Sequence, residues 1–467
     1  MMMLWAVFIT CLGVSTFVGG VGPKVSGSFW LHGSRRLSPG GYAASTVGAN
    51  FSLVTAVVVL MYFGYAYDNI QNAITIFSGA FGVAILSTAA GKLSPVSACV
   101  FDSDSTIHSY ISEAYGSAPI VRRVCALVTI IGLIGFASVA TFTYSAIFSQ
   151  ILNVPPLVPA ILSLGAVSFY VARRGFDGVI KTDKLQLSAI ALVLIGLFVA
   201  VIDAEVDSPF TFWRLLDDSS MTNLGGFVLL VIVLTNTLYH IGSAEAWVRL
   251  VAVGESKAQG RGAVVAGIMF LCFLMAIMFF GRLIRFVHVQ DGIQLAAGGV
   301  ELIVWLINTS PFVSAILVVG LCFAFLSTVD TMIFSVGSTI VTDVGGAKNS
   351  EWLSPRYITV TISSVILFVV WAVNKVPNVD LNSFLFMVFS YQIILVPLVL
   401  FRTIVGPRAS AKPVGGLMAL IIPLTVTLVL GISLLPIAEA GGLMPLVAFV
   451  FTSVLILVFP ILRRLHI

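Results

Sequence analysis

The sequence predicts an all-α membrane protein of thirteen transmembrane helices, and three observations predict it. The first is composition. Of 467 residues, 59% are hydrophobic and 9% charged, and the mean hydropathy is +1.09. A soluble domain carries about 25% charged residues, so lipid is the solvent for most of this chain. The second is a series of apolar runs near the roughly 20 residues that cross a bilayer. They fall at 1–20, 42–65, 70–92, 120–151, 155–172, 184–203, 223–250, 261–287, 312–343, 355–374, 381–401, 414–435 and 440–462. The third is the placement of cations. With the N-terminus outside, 20 of the 24 Lys and Arg residues lie on loops or flanks assigned to the cytoplasm. Only Arg214, Arg282, Arg285 and Lys375 lie on the other side, the asymmetry of the positive-inside rule. A wrong span count would scramble this split. The chain is therefore read as multi-pass in the plasma or inner membrane, N-terminus outside and C-terminus cytoplasmic.

The first run, MMMLWAVFITCLGVSTFVGG, lacks the positive start of a signal peptide, since the first Lys is Lys24. It reads as a membrane helix. Runs two to six and seven to eleven make two groups of five. The segment 287–311, containing GIQLAAGGVELIVWLIN, is expected to be a short helix lying over the bundle, because counting it as a span breaks the charge alternation. The chain closes on RRLHI just past run thirteen, leaving no room there for a fused signalling module. Cys11, Cys99, Cys125, Cys272 and Cys322 are scattered, with no CxxC and no Cys/His ligand spacing. They read as small core hydrophobes and not as disulfides or a metal site.

Three runs are more polar than a lipid-facing helix needs to be. Run two contains STVGANFS (Ser45 to Ser52) and run seven contains TNTLYHIGSAEAW (Thr235 to Trp247). Gly, Asn and hydroxyls interrupt both, which predicts broken helices. Broken backbone at membrane depth is tolerated only inside protein or beside a water-filled cavity. Breaks in the first helix of each group of five mark an inverted-repeat transporter with a site near the midplane. Run nine carries Ser327, Thr328, Asp330 and Thr331 within five residues. One Ser or Thr in a membrane helix ordinarily bonds its own backbone or a neighbouring helix. A carboxylate there costs at least ~2.5–3.5 kcal/mol and defaults to a functional role. Hard cations such as sodium take oxygen ligands, which hydroxyls and the carbonyls freed at a helix break supply.

Four segments in order carry a family resemblance: FWLHGSRRLSPGGYAASTVGANFS, RGFDGVIKTDKLQ (Arg174 to Gln186), NTLYHIGSAEAWVRLVAVGESKAQGRGAVVAG (Asn236 to Gly267) and AFLSTVDTMIFSVGSTIVTDV. The chain resembles the sodium:solute symporter family, of the proline and sodium–glucose cotransporter type. The resemblance implies a leucine-transporter-type 5+5 inverted repeat with one extra N-terminal and two extra C-terminal helices. It divides the chain into 1–20, a first repeat at 42–203, a second at 223–401 and a peripheral pair at 414–467.

It also implies a sodium site between core helices one and eight, built from the carbonyls of Gly48, Phe51 and Ala324 and the hydroxyls of Ser327 and Thr328. Asp183, Asp330 and Thr331, with Ser327, match the positions of a second ion in some members. Two adjacent carboxylates repel unless a cation or proton lies between them; the alternative is that Asp330 faces cytoplasmic water. Asn236 and Tyr239 match an Asn and a gating Tyr of sugar carriers, and His240, Asn50 and Thr55 complete the implied solute site. The family's sugar ligands on core helices one and two are unmatched, with Val54 and Ala80 among the residues there, which disfavours sugar. Glu245 is expected to face cytoplasmic water near Arg249. Val248 replaces the family's Gln before that Arg.

The implied function is sodium-coupled symport of a small organic solute by alternating access. An amino acid, carboxylate or osmolyte is favoured over a sugar. A solute-sensing or non-transporting homologue acting through a partner chain is the alternative. Sodium is the coupling ion and no other cofactor is expected; solute, sodium and the lipid bilayer are the partners, and nucleic acid is not. No nucleophile–base pair, phosphate loop or metal motif points to an enzyme.

Overall fold

The computed structural model describes residues 2–25, 30–31, 37–93, 106–203, 224–253, 256–290, 299–308, 310–345, 354–376, 381–405, 413–434 and 443–464. The first apolar run forms α1 (Met2–Gly20). The second is split. Helix α2 (Pro39–Asn50) opens on Ser38, whose Oγ accepts the Gly41 N–H, with Pro39 in its first turn, a standard helix start. At Ser52 the backbone is extended, and the Ser52 Oγ accepts the Val54 N–H to start α3 (Leu53–Ala66). The two pieces meet at 65°. The first two turns of α3 are wound wide, with the Val57 N–H reaching the Ser52 carbonyl at 3.2 Å. Next come α4 (Asn69–Leu93), the short α5 (Ile107–Glu113), α6 (Pro119–Leu152), α7 (Leu157–Arg174) and α8 (Phe176–Asp203).

The seventh run is split as well. Helix α9 (Gly226–Gly242) and α10 (Ala244–Val253) are bent by 51° at Ser243. The chain continues through α11 (Ser256–Gln290), α12 (Gly299–Ile307), α13 (Pro311–Val344), α14 (Pro355–Val373), α15 (Leu381–Val405), α16 (Pro413–Leu434) and α17 (Met444–Arg464). Each of the thirteen predicted runs coincides with a helix or a bent pair. Among the described residues, nine helices and the two bent pairs are long and apolar enough to cross a membrane. With each bent pair taken as one span, the described residues supply up to eleven.

Helices α2, α3, α4, α9 and α11 pack on one another, and α6, α7, α13 and α14 form a second group. Helix α8 lies between them, against α13 and α2, while α15 joins α6, α9 and α17. The pattern is the reverse of a soluble fold. Large apolar side chains such as Ile70, Leu192 and Phe368 point outward, while Asp183, Gln186 and Asp330 are fully buried. The expected short helix is α12, seated through Leu302, Ile303, Leu306 and Ile307. Cys11, Cys125 and Cys322 are buried, but Cys272 is exposed. It sits on an outward face of α11, so reading every apolar-run cysteine as core fails there. Cys99 lies outside the described residues.

Helices α3 and α11 meet through two glycines. A Cβ on Gly64 would strike the Met278 carbonyl, and one on Gly281 would strike the Met61 carbonyl. Each glycine lets the other helix's backbone approach, the small-residue packing typical of membrane interfaces. Gly281→Val is therefore expected to cost about 1–3 kcal/mol of stability by overpacking, read as a lower Tm in detergent. An unchanged Tm would mean the two helices separate freely.

Candidate functional site

The break between α2 and α3 sits against α8 and α13 near the middle of the bundle. Gly48 permits the approach: a Cβ there would lie 2.9 Å from the Asp183 carbonyl oxygen on α8. Asp183 is the hub. Its Oδ2 accepts from Ser45 Oγ at 2.5 Å and its Oδ1 from Ser327 Oγ at 3.1 Å. One carboxylate thus ties the lower half of the broken helix to the hydroxyl patch of α13. Thr328 Oγ1 donates to the Ala324 carbonyl at 3.0 Å. Having spent its hydrogen inside the helix, it keeps oxygen lone pairs for a cation. The Phe51 N–H bonds the Val47 carbonyl at 2.9 Å and the Gly48 carbonyl at 3.3 Å.

The three residues assigned to a second ion are divided between two clusters. Asp183 and Thr331 both contact Arg249: its Nη2 donates to Asp183 Oδ2 at 3.0 Å and to Thr331 Oγ1 at 2.7 Å, while Nε donates to Ser45 Oγ at 2.8 Å. A guanidinium, tethered from α10, thus stands where an ion between these groups would stand. Asp330 turns away toward α7 and α8, accepting from Tyr170 Oη at 2.6 Å and Thr182 Oγ1 at 2.8 Å. It is fully buried, so the reading in which it faces water is wrong. Its position on α13, one step round from Ser327 and Thr331, aims it at a different neighbour.

Glu245 requires a correction too. It is buried, and its Oε1 accepts from Tyr239 Oη at 2.7 Å. That bond spans the break at Ser243 and joins the last turn of α9 to the first turn of α10. The polar spacing of the seventh run revealed the bend but not that the bend folds this carboxylate inward.

Above these clusters lies a cavity of about 130 Å³. Asn50, Thr55, Asn236, Tyr239 and His240, the five predicted solute residues, all line it. Its remaining wall is largely apolar, including Phe63, Phe136, Phe270, Met332, Phe386 and Phe389. The Tyr239 ring stands edge-on to Phe389 at 5.1 Å and to His240 at 5.3 Å. The phenylalanines went unnoticed in the sequence because an aromatic residue in an apolar run carries no mark of facing a cavity.

A second polar cluster gathers around the last turn of α13. Asp343, in the last turn of α13, accepts from Thr106 Oγ1 at 2.6 Å, Arg122 Nε at 2.7 Å and His108 Nδ1 at 2.8 Å. The other ring nitrogen of His108 meets Thr129 Oγ1 at 2.8 Å. Nearby, Arg402 on α15 pairs with Glu113 on α5 and lies over the Tyr110 ring, 4.7 Å from its centroid. These contacts pin α5 to α6, α13 and α15.

No protein-family model matches the sequence, and no curated protein matches it. Solved structures do share its fold. One is a Na+-coupled sialic acid symporter in a substrate-bound outward-open state, with a TM-score of 0.71 at 14% identity over 98% of both chains. Another is Mhp1, a nucleobase-cation-symport-1 family transporter in a closed conformation with bromovinylhydantoin bound. Its TM-score is 0.56 at 12% identity over 95% of both chains. At these identities the likeness is one of fold. The chain is a multi-pass, all-helical membrane protein with that fold, and the sequence resemblance has its counterpart in architecture and not in a matching family.

Proposed function

We propose that this chain is a sodium-coupled symporter that imports a small organic solute by alternating access. One observation carries the reading: the interrupted helix α2/α3 is joined through Ser45, Asp183 and Ser327 to the hydroxyl patch of α13. The carbonyls of Gly48, Phe51 and Ala324 and the hydroxyls of Ser327 and Thr328 then hold sodium. The donor set fits a hard cation, being all oxygen. The shared fold supports this, since one neighbour is described as Na+-coupled and the other as a cation symporter. Asn50, Thr55, Asn236, Tyr239 and His240 hold the solute. The Lys- and Arg-rich loops face the cytoplasm, the two five-helix groups are the repeats, and α8 and α17 complete thirteen spans. The reading assigns the chain no enzymatic chemistry.

Sodium binding fixes α2 and α3 against α13, and solute binding then favours outer closure, a shift in population driven by differential affinity. The membrane potential adds about 2.3 kcal/mol per charge per 100 mV. Arg249 supplies the cation that Asp183 and Thr331 would otherwise draw from solution, so these two groups hold no second sodium while it stays in place. Thermal unfolding in sodium against potassium tests the site. Sodium is expected to raise the Tm, and the double variant Ser327→Ala, Thr328→Ala to lose that rise, on top of a lower Tm in potassium from the lost Ser327–Asp183 hydrogen bond. An intact sodium response in the double variant would place the ion elsewhere. Solute-dependent uptake of labelled sodium into vesicles then separates a transporter from a sensor, which binds without turnover.

A further inference from the structure

Among the described residues, no Asp, Glu, Lys or Arg lines the cavity. Of the buried charges nearby, Asp183 and Arg249 pair with each other, while Glu245 lies behind Tyr239, from which its Oε1 accepts, and its Oε2 has no partner. A fixed charge entering this space would be stripped of water with no counter-charge in the wall, a large cost. At the start of α3 the Val54 N–H is already capped by Ser52, so one of that helix end's free N–H groups is engaged.

The wall's polar atoms have a definite sense. Asn50 Nδ2 donates to the Thr46 carbonyl at 2.8 Å, and Asn236 Nδ2 donates to Ser78 Oγ at 3.2 Å and reaches the Thr75 carbonyl at 3.5 Å. A backbone carbonyl only accepts, so these bonds fix which end of each amide faces the protein. Each side-chain carbonyl is thereby left over, on a residue that lines the cavity. Thr235 Oγ1 and His240 Nδ1 also line it, and both are buried without a partner. Buried polar atoms ordinarily have partners, and exceptions call for an explanation.

We infer that the solute is an uncharged, flat molecule with N–H donors on one edge and an apolar or aromatic face: a cyclic amide, imide or ureide. The two Asn carbonyls accept its N–H groups, Thr235 and His240 complete the edge, and Phe136, Phe386 and Phe389 cover its faces. A hexose would leave most hydroxyls against phenylalanine, and a zwitterionic amino acid would leave both charges unpaired. This class rests on the solute site proposed above and narrows it away from amino acids and carboxylates.

The test is a thermal-shift titration of the full chain in detergent, in sodium and in potassium. The probes are thymine and 5-phenylhydantoin, against leucine, benzoate and glucose. Thymine or the hydantoin is expected to raise the Tm and the other three to leave it unchanged. Thr235→Val, which removes a hydroxyl that holds nothing in the protein, is expected to keep the ligand-free Tm. It should weaken heterocycle binding roughly tenfold, the worth of one hydrogen bond. A shift with leucine or benzoate alone overturns the solute class and leaves symport standing. A heterocycle shift equal in both salts keeps the class and overturns sodium coupling. No heterocycle shift in either salt, or full affinity in Thr235→Val, overturns the inference.

Discussion

Arg249→Met is expected to destabilise the folded bundle by about 3–5 kcal/mol, the range for stranding one partner of a buried ion pair. The pair is well enclosed: the Arg249 side chain is 4% exposed and that of Asp183 not at all. Without the guanidinium, the carboxylate keeps only the hydroxyls of Ser45 and Ser327. Asp183→Asn in the same background is expected to recover most of the loss, since no charge is then stranded, and the double-mutant cycle isolates the pair. Sodium is expected to restore part of the Tm in Arg249→Met, entering the place the guanidinium leaves. A single variant as stable as the wild type, or a double variant no better than the single, would show that Arg249 does not neutralise Asp183.

Asp343→Ala should unlock this end of α13. The side chain gathers Thr106, Arg122 and His108 onto the last turn of α13, and the loss strands the buried His108 Nδ1, while Arg122, 22% exposed, keeps the Thr342 carbonyl. Stranding one buried partner costs about 3–5 kcal/mol, which is more than two orders of magnitude in the population of an opened state. Cys125, fully buried on α6 one turn from Arg122, is a native reporter. With Cys99 and Cys272 replaced by Ser, maleimide labelling of Cys125 is expected to rise at least about tenfold in Asp343→Ala. Equal labelling rates would mean that the cluster does not hold this end closed.

Much of the fold could be read in the chain because lipid imposes a simple rule. Run length and the alternation of Lys and Arg between loops locate helices without knowledge of tertiary contacts, and both broken helices announced themselves by Gly, Asn and Ser in apolar company. Helix α8 was legible as a span from the charge-free run at 185–202, although Asp177, Lys181, Asp183 and Lys184 crowd its first turns. The role of Arg249 was hidden by the same rule: near Lys257 and Arg261 it looks like one more cytoplasmic cation. Only the bend at Ser243 turns α10 inward and brings it to Asp183, 66 positions earlier in the chain. Glu245 was misread for the same reason. The Asp343 cluster depends on residues more than two hundred positions apart, a distance over which spacing carries no information.

The reciprocal notches at Gly64 and Gly281 bear on how such a protein can move. Two backbones nested at that range cannot slide without one carbonyl climbing over the other, so α3 and α11 travel together as a single lever. Rearrangement must then be taken up where side chains, not main chains, form the boundary. The Asp183 hub between α2, α8 and α13 is such a boundary, and it can part by exchanging hydrogen bonds one at a time. The hinge and the ion-sensing groups would thus be the same few atoms.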